Sequence, residues 1–220
     1  MKINTSKDDL KDTGLSVSQR DFYNSFIEMG FPNKRKEDWK FTDLEKILNS
    51  NFDQLTPLKE KTKFKCEKIF DFDHYSIINL NGALIDHDLF PKNSIELAET
   101  NLKEVNHLKD HSIFEGAPYN FTPGRPATEL QAKKDQMLSL NLSFVDRGYS
   151  FQIVQNLEKP LVIYNYYNNN LQGKMINNTN SIKILNSKCS IVEVDIDKSK
   201  SSYFKNTFQR YEIQDSEVNY

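Results

Sequence analysis

Cysteine is scarce in this chain, and so are other features that mark large classes of protein. The 220 residues include two cysteines, Cys66 and Cys189, which are too few for a disulfide scaffold. No apolar run approaches the roughly 20 residues that span a bilayer. Residues 1–9 lack the apolar core of a signal peptide. We therefore expect a soluble protein of the reducing cytoplasm.

A nucleotide-binding loop and an excess of positive charge are also missing. Neither a Walker A sequence nor a Gly-x-Gly-x-x-Gly sequence occurs. The formal net charge of −2 does not favour nucleic-acid binding through phosphate neutralisation. His107 and His111 have the spacing of two metal ligands on one helix face. No Glu or Cys beside them completes a metal-binding pattern, so we interpret them as surface histidines.

The chain does contain enough apolar material for a core, arranged in three successive patterns. Hydrophobic residues make up 37% and aromatic residues 12% of the sequence, which is sufficient for a folded domain. Residues 1–60 predict a helical N-terminal region. Residues 61–148 predict a mixed α/β segment with a hairpin, and residues 149–220 predict a series of short strands.

Helix and turn signals place the elements of the first two segments. Ser16 or Ser18 is expected to cap a first helix that Gly30 ends, and Thr42 with Glu45 forms a capping box for a second helix. In the middle segment, residues 81–82 read Asn-Gly, a type I′ hairpin signal between two short apolar runs. Further helices are predicted near residues 97–108 and 127–144.

The third segment predicts stacked strands. Ile182 and Ile184, followed by a turn, are echoed 29 positions later by Tyr211 and Ile213, which a turn also follows. This weak repeat favours successive coils of a β-solenoid, and a β-sandwich is the competing architecture. Tyr220 falls inside a strand-like pattern, whereas a solenoid needs a cap. We therefore expect the chain to be truncated at its C-terminus.

A row of carboxylates lies in one of these strands. Glu193, Asp195 and Asp197 alternate with apolar residues, so a strand would place the three carboxylates on one face. Carboxylates aligned on a β-helix can bind calcium or act as acid and base on polysaccharides. The simpler interpretation is a half-buried strand with a solvated face. A β-helix carbohydrate-active enzyme using these three residues is thus the alternative function.

Residues 31–44 hold the only tryptophan and carry the most specific pattern in the chain. Glu37, Trp39, Lys40, Phe41 and Thr42 fit the order Glu-x-Trp-Lys-aromatic-Thr after a basic stretch. This segment resembles the N-terminal signature of the SufB/SufD family of SUF iron–sulfur cluster assembly subunits, in its SufD form. By packing, Trp39 and Phe41 are expected to fix the following helix onto the body of the protein.

Weaker motifs follow in the order that the resemblance implies. Residues 79–82 look like the family's short strand and Asn-Gly turn. Residues 138–142 with 146–148 resemble the helix and glycine that precede its β-helix, and residues 157–160 resemble the entry to a following strand. Together with the tryptophan segment, these motifs extend the resemblance over nearly the whole chain.

The resemblance implies both a fold and a function. The fold would be α+β, with a helical N-terminal region followed by the first coils of a right-handed parallel β-helix. The function would be that of a non-enzymatic scaffold subunit of the cytoplasmic SufBCD complex, which pairs with SufB and docks the SufC ATPase. The iron–sulfur cluster would form at the level of the complex. No catalytic, metal-binding or cofactor-binding residue carries over to this chain, and neither nucleic acid nor membrane is an expected partner. A SufB-like scaffold is the alternative within the family.

Overall fold

The computed structural model describes residues 2–3, 15–58, 65, 67–91, 94–99, 135–168 and 171–220. The helices within these ranges are α1 (Val17–Met29), α2 (Leu44–Asn51) and α3 (Gln136–Phe144), with a short 3-10 helix at Glu37–Trp39. The strands are β1 (Lys2–Ile3), β2 (Gln54–Pro57), β3 (Tyr75–Leu80), β4 (Ala83–His87), β5 (Ile95–Glu99), β6 (Tyr149–Ile153), β7 (Leu161–Tyr167), β8 (Lys174–Leu185), β9 (Lys188–Asp197), β10 (Phe204–Gln214) and β11 (Glu217–Asn219).

The strands form two mixed sheets. The first has the order β1-β2-β8-β6-β5, with β10 paired to β8, and the second has the order β11-β9-β7-β3-β4. Most neighbours are parallel, but β5 runs antiparallel to β6 and β4 runs antiparallel to β3. Long β8 and β10 pair in parallel over eleven residues each, so they form the backbone of the first sheet.

The predicted fold class is wrong. Strand accounts for 42% and helix for 21% of the structure, and the strands make two mixed sheets rather than a helical region followed by coils of a right-handed parallel β-helix. The cause is that three strands before residue 100 pair with strands after it, because their backbone groups need hydrogen-bond partners. Strand β2 pairs with β8, β3 with β7 and β5 with β6, so early and late strands share the same two sheets. Turn-punctuated strands in the sequence do not distinguish these arrangements, because both satisfy the backbone by parallel pairing.

The 29-residue echo reflects strand register rather than the coils of a β-solenoid that it was expected to indicate. Tyr211 pairs with Ile182 and Ile213 pairs with Ile184 across β10 and β8. Because partners in register share a face, equivalent apolar residues of successive strands stack above one another. The repeat therefore reports how neighbouring strands align.

Alternate residues from both sheets meet in one apolar core. The strand period of two sends every second side chain inward, and burial of these side chains is the main stabilising contribution. Cys189 is buried among them, as expected for a small core residue, and burial raises the pKa of its thiol. The buried members of this core are Ile77, Tyr149, Phe151, Ile153, Leu161, Ile163, Ile182, Ile184, Cys189 and Ile191.

Two helices pack together and onto the first sheet. Tyr23 and Phe26 of α1 bury against Leu140 and Phe144 of α3 and against Met175 of β8. Tyr23 and Phe144 meet edge to face, with ring centroids 5.5 Å apart. None of the helices in the described ranges is both long enough and apolar enough to cross a bilayer.

Sequence signals predict the cap of α1 correctly and place the cap of α2 one residue too early. Ser16 caps α1 with a complete capping box to Gln19, and Gly30 ends the helix, both as predicted. The cap of α2 is Asp43 rather than Thr42, because the Asp43 carboxylate accepts from the Lys46 amide at 3.0 Å. Asp and Thr are both favoured N-cap residues, with Asp ranked higher, and the Thr42-Glu45 capping-box pattern had pointed to the neighbouring residue.

Of the two later helix predictions, the first is wrong and the second is confirmed over the described residues. Residues 95–99 lie in β5, which pairs with β6, instead of starting a helix. The rest of the predicted segment 97–108 lies outside the described residues. Helix α3 confirms the second prediction from Gln136 to Phe144, with Asp135 as its cap, and the part before residue 135 is likewise outside.

The Asn81-Gly82 hairpin is confirmed, because Leu80 pairs with Ala83 and both turn residues have positive φ.

Candidate functional site

Polar side chains from neighbouring strands meet around the carboxylate of Glu193. Asn79 of β3 donates to the side-chain oxygen of Asn165 of β7 at 2.9 Å, and Asn165 donates to Glu193 at 2.7 Å. Gln209 of β10 donates to the second carboxylate oxygen at 2.9 Å, and the Tyr220 hydroxyl donates to the same oxygen. We call these five residues the Glu193 cluster.

The strand register explains how the cluster forms. Asn79 and Asn165 are paired across β3 and β7, two positions beyond the paired core residues Ile77 and Ile163. The period of two therefore continues the inward row from apolar to amide side chains, and both asparagines are buried. Buried amides need hydrogen-bond partners. The Asn165 amide has one in the Glu193 carboxylate, which lies at the more exposed end of this row.

Several tyrosines surround this carboxylate and are held in their neutral form. Burial, and after it the negative charge of Glu193, raises the pKa of Tyr149 well above its ordinary value. Burial also raises the pKa values of Tyr167, Tyr211 and Tyr220, with Glu193 contributing in each case. The Tyr149 hydroxyl has no hydrogen-bond partner within the described part of the chain. Of these four phenols, Tyr220 is the one whose hydroxyl donates to the Glu193 carboxylate in the described part of the chain.

The other two predicted carboxylates have partners of their own. Asp195 forms an ion pair with Lys205, whose ammonium lies 5.0 Å from the centre of the Tyr167 ring. Asp197 accepts from the Ser199 amide at 2.8 Å and from the Tyr203 hydroxyl at 3.3 Å. Burial alone would raise the pKa of Asp197, but the hydrogen bonds from Ser199 and Tyr203 outweigh it and lower that pKa.

The row of three carboxylates is therefore divided into separate structural contacts. Glu193 points toward the space between the sheets, whereas Asp195 and Asp197 are exposed at the far end of β9. Glu193 already accepts three hydrogen bonds, and Asp195 is paired with a cation. A general acid and base must reach a substrate proton directly. This arrangement is that of carboxylates which fasten strands together.

Sequence reasoning missed a buried arginine that joins two distant motifs. The Arg147 guanidinium donates to the main-chain oxygens of Asn81, at 3.2 Å, and of Leu58, at 2.6 Å. Its Nε atom donates to the Asp146 carboxylate at 2.6 Å, and Nη2, which also donates to Leu58, donates to the same carboxylate at 2.9 Å. Arg147 is only 7% exposed. The sequence signal for this arginine is the motif at residues 146–148, which from the sequence alone is interpreted only as the segment that precedes the strands.

The neighbouring glycine fits an equally tight place. Gly148 has φ of +149°, and a Cβ atom there would lie 1.9 Å from the Thr179 carbonyl oxygen. Gly82, in the hairpin turn, has φ of +83° and lies against the Arg147 side chain. Both glycines are therefore required by backbone conformation and close approach.

The tryptophan segment forms a turn with a buried base and an exposed tip. We call residues 31–42 the signature turn. Phe31 packs edge to face on Phe26, with centroids 5.0 Å apart, and Pro32 is buried. The expected packing of the aromatic pair is wrong for Phe41, which is 88% exposed, and Trp39 is only partly buried. The helix that follows is held by Leu48 instead.

The remaining candidate residues have structural roles or lie outside the description. His74 is buried, with Nδ1 2.6 Å from the Phe72 carbonyl oxygen and Nε2 2.9 Å from the Tyr164 hydroxyl. Cys66, His107 and His111 are outside the described residues. Within the ranges that the structure covers, no group of three or more His, Cys, Asp or Glu side chains is placed to hold a metal ion.

Comparison with known proteins gives one family match. The model of the SufBD protein N-terminal region matches residues 11–163, which is well over half of the chain. The matched span includes the signature turn, the Asn81-Gly82 hairpin, α3 and Arg147. A search of the curated proteins finds no match.

Proposed function

The chain belongs to the SufBD family of the SUF iron–sulfur cluster assembly system, and from that premise we propose that it is a SufD-like, non-catalytic scaffold subunit. In this role it pairs with a SufB-like subunit and docks a SufC-like ATPase in the cytoplasm. The iron–sulfur cluster is the product of the whole complex rather than a resident cofactor of this chain. The observation that carries the proposal is the family match over residues 11–163.

The SufD assignment within the family is supported by the signature turn. Glu37, Trp39, Lys40, Phe41 and Thr42 stand in the order that resembles the SufD form. Four of these side chains, at positions 37, 40, 41 and 42, lie on the exposed surface rather than in the core. Core packing alone does not require those identities, which is compatible with a role in recognition.

The non-catalytic role is supported by the fate of the acidic row. Glu193, Asp195 and Asp197 were the residues on which a carbohydrate-active enzyme would depend. Instead, Gln209 and Lys205 of β10 engage Glu193 and Asp195, and Tyr203, in the loop before β10, donates to Asp197. We therefore favour the assembly subunit over the enzyme.

Co-expression tests this proposal. The protein as its gene encodes it would be produced with the SufB-like and SufC-like proteins of the same organism, with an affinity tag on the SufC-like partner. We expect all three to co-elute as one species in size-exclusion chromatography with light scattering. Elution of this protein alone, as a folded species with no mass from either partner, would rule out the proposed role.

A further inference from the structure

We propose that the tip of the signature turn is a docking surface for an acidic segment, bearing an apolar anchor, on another subunit of the complex. This inference rests on the proposed function, since it names a contact within that assembly. It concerns the chemistry of the tip, from Lys34 to Phe41, together with the exposed side of α2.

The first supporting observation is an unusual exposure of apolar side chains. Phe41 is 88% exposed, and Ile47 of α2, which begins two residues after the turn ends, is 49% exposed. Trp39, which lies in the sequence between the buried Pro32 and the exposed Phe41, is partly exposed. Aromatic side chains supply large contact areas at low entropic cost, and they are enriched at the centres of protein interfaces.

The second observation is the charge next to these side chains. Lys34, Arg35 and Lys36 are exposed and have no ion-pair partner among the residues whose placement is described. Lys40 is paired with Glu37 at 2.6 Å, and its ammonium lies 5.3 Å from the centre of the Phe41 ring. A run of exposed cations in the same turn as an exposed aromatic side chain is complementary to an anionic partner that also carries an apolar residue.

The third observation is that the turn is preorganised. Asn33 accepts from the amides of Arg35 and Lys36, each at 3.1 Å, through its side chain and main chain respectively. The Trp39 amide donates to the main-chain oxygen of Lys36 at 2.9 Å, and the Thr42 amide donates to the main-chain oxygen of Trp39 at 2.8 Å. A surface that is already fixed by backbone hydrogen bonds loses little conformational entropy on binding.

The charge pattern favours a protein segment over a lipid surface. Glu37 and Asp38 lie inside the same turn as the cations, and Glu45 follows on α2. An anionic membrane presents negative charge across its whole surface and would repel these carboxylates. A protein partner can place acidic side chains opposite residues 34–36 and leave the neighbouring positions neutral.

Leu89 provides a matched comparison for the apolar part. It is 94% exposed, so its truncation removes a similar apolar surface without disturbing the core. Its sequence neighbours are Asp86, His87 and Asp88 rather than a run of cations. For the charged part, Lys198 and Lys200 are exposed lysines two positions apart, as Lys34 and Lys36 are.

The experiment compares these variants within the three-subunit complex, at low and high salt. We expect Phe41→Ala to weaken association with the partner subunits by about tenfold, the size of a typical interface anchor. The double variant Lys34→Glu/Lys36→Glu should weaken it further at low salt and less so at high salt, because salt screens exposed charges. Leu89→Ala and Lys198→Glu/Lys200→Glu should match the wild type.

The outcomes separate this inference from the function on which it rests. If the wild type joins the complex and the signature-turn variants join equally well, the docking surface is wrong while the proposed function stands. If the wild type does not join at all, both fail. Phe41-dependent binding to phosphatidylserine vesicles, with complex formation unchanged in the Phe41→Ala variant, would overturn the inference in favour of a membrane contact.

Discussion

The Arg147 guanidinium donates a 3.2 Å hydrogen bond to the main-chain oxygen of Asn81, 66 residues away in the sequence. One residue of this pair precedes β6 and the other lies in the turn between β3 and β4. The same guanidinium also donates to the main-chain oxygen of Leu58, the residue that directly follows β2. The Arg147 side chain thus joins three separate parts of the chain through buried hydrogen bonds. The hairpin turn at residues 81–82 and the motif at residues 146–148 therefore have structural roles.

Arg147→Met should destabilise the protein by about 3 kcal/mol, because two buried carbonyl oxygens and the Asp146 carboxylate would lose their donors. Urea unfolding followed by circular dichroism measures this change. Arg35→Met, at an exposed arginine in the signature turn, should alter the free energy of unfolding by less than about 0.5 kcal/mol. Equal effects of the two substitutions would show that the buried hydrogen bonds of Arg147 contribute nothing.

Gly148→Ala should destabilise the fold by roughly 3 kcal/mol or more, since the new methyl group would meet the Thr179 carbonyl oxygen at 1.9 Å. Gly30 is the matched control, because it also has positive φ but no atom lies within 4 Å of a Cβ placed there. Gly30→Ala should cost about 2 kcal/mol from backbone strain alone, because its φ of 67° and ψ of −171° lie in a region that almost only glycine occupies. Thermal unfolding of the two variants separates strain from steric overlap, and similar melting temperatures would contradict the close approach.

Asp88 should contribute stability that is lost in acid. Burial would raise its pKa, but hydrogen bonds from Lys68 and Ser76 outweigh burial and lower the pKa from the ordinary 3.8. A lowered pKa in the folded state means that the carboxylate stabilises the fold above pH 3.8, and that this contribution disappears as the pH falls through the folded-state value. Asp88→Asn should therefore reduce the free energy of unfolding by about 1 kcal/mol at neutral pH. A difference from wild type that stayed constant down to the acid transition would contradict this assignment.

The tyrosines around Glu193 should ionise late in the native protein. Burial raises the pKa values of Tyr149, Tyr167, Tyr211 and Tyr220 above the ordinary 10.0, so the folded state resists their ionisation. The stability that they contribute is complete below pH 10 and is lost as the pH rises beyond it. Ultraviolet titration should show fewer tyrosinates just above this pH in the native protein than in denaturant. Glu193→Gln should bring the native curve closer to the denatured one, and an unchanged curve would exclude an influence of the Glu193 charge.

Local signals in the sequence predicted the elements that depend on neighbouring residues. The capping box of Ser16 and the Asn81-Gly82 turn each involve residues within a few positions, so propensity and turn chemistry suffice. The strand register between β8 and β10 was visible as the 29-residue echo, because pairing repeats the inward positions.

Long-range pairing could not be obtained in the same way. The fold class was wrong because β3 pairs with β7, whose residues lie 86 positions later, and no local signal reports such a partner. Residues 95–99 followed tertiary pairing with β6 rather than helix propensity. The Glu193 cluster likewise depends on four strands, so the alternation on β9 showed a face of carboxylates but not their donors.

In the role that we propose, this protein supports iron–sulfur cluster assembly without catalysing a reaction at its acidic row. Iron and acid-labile sulfide bound to a SUF-dependent client protein should fall when the gene is deleted. Complementation by the wild-type gene should restore both, and so should the triple variant Glu193→Gln/Asp195→Asn/Asp197→Asn, provided that the protein accumulates to the same level. An unchanged cluster content after deletion, or a folded triple variant that fails to restore the clusters, would contradict this proposed role.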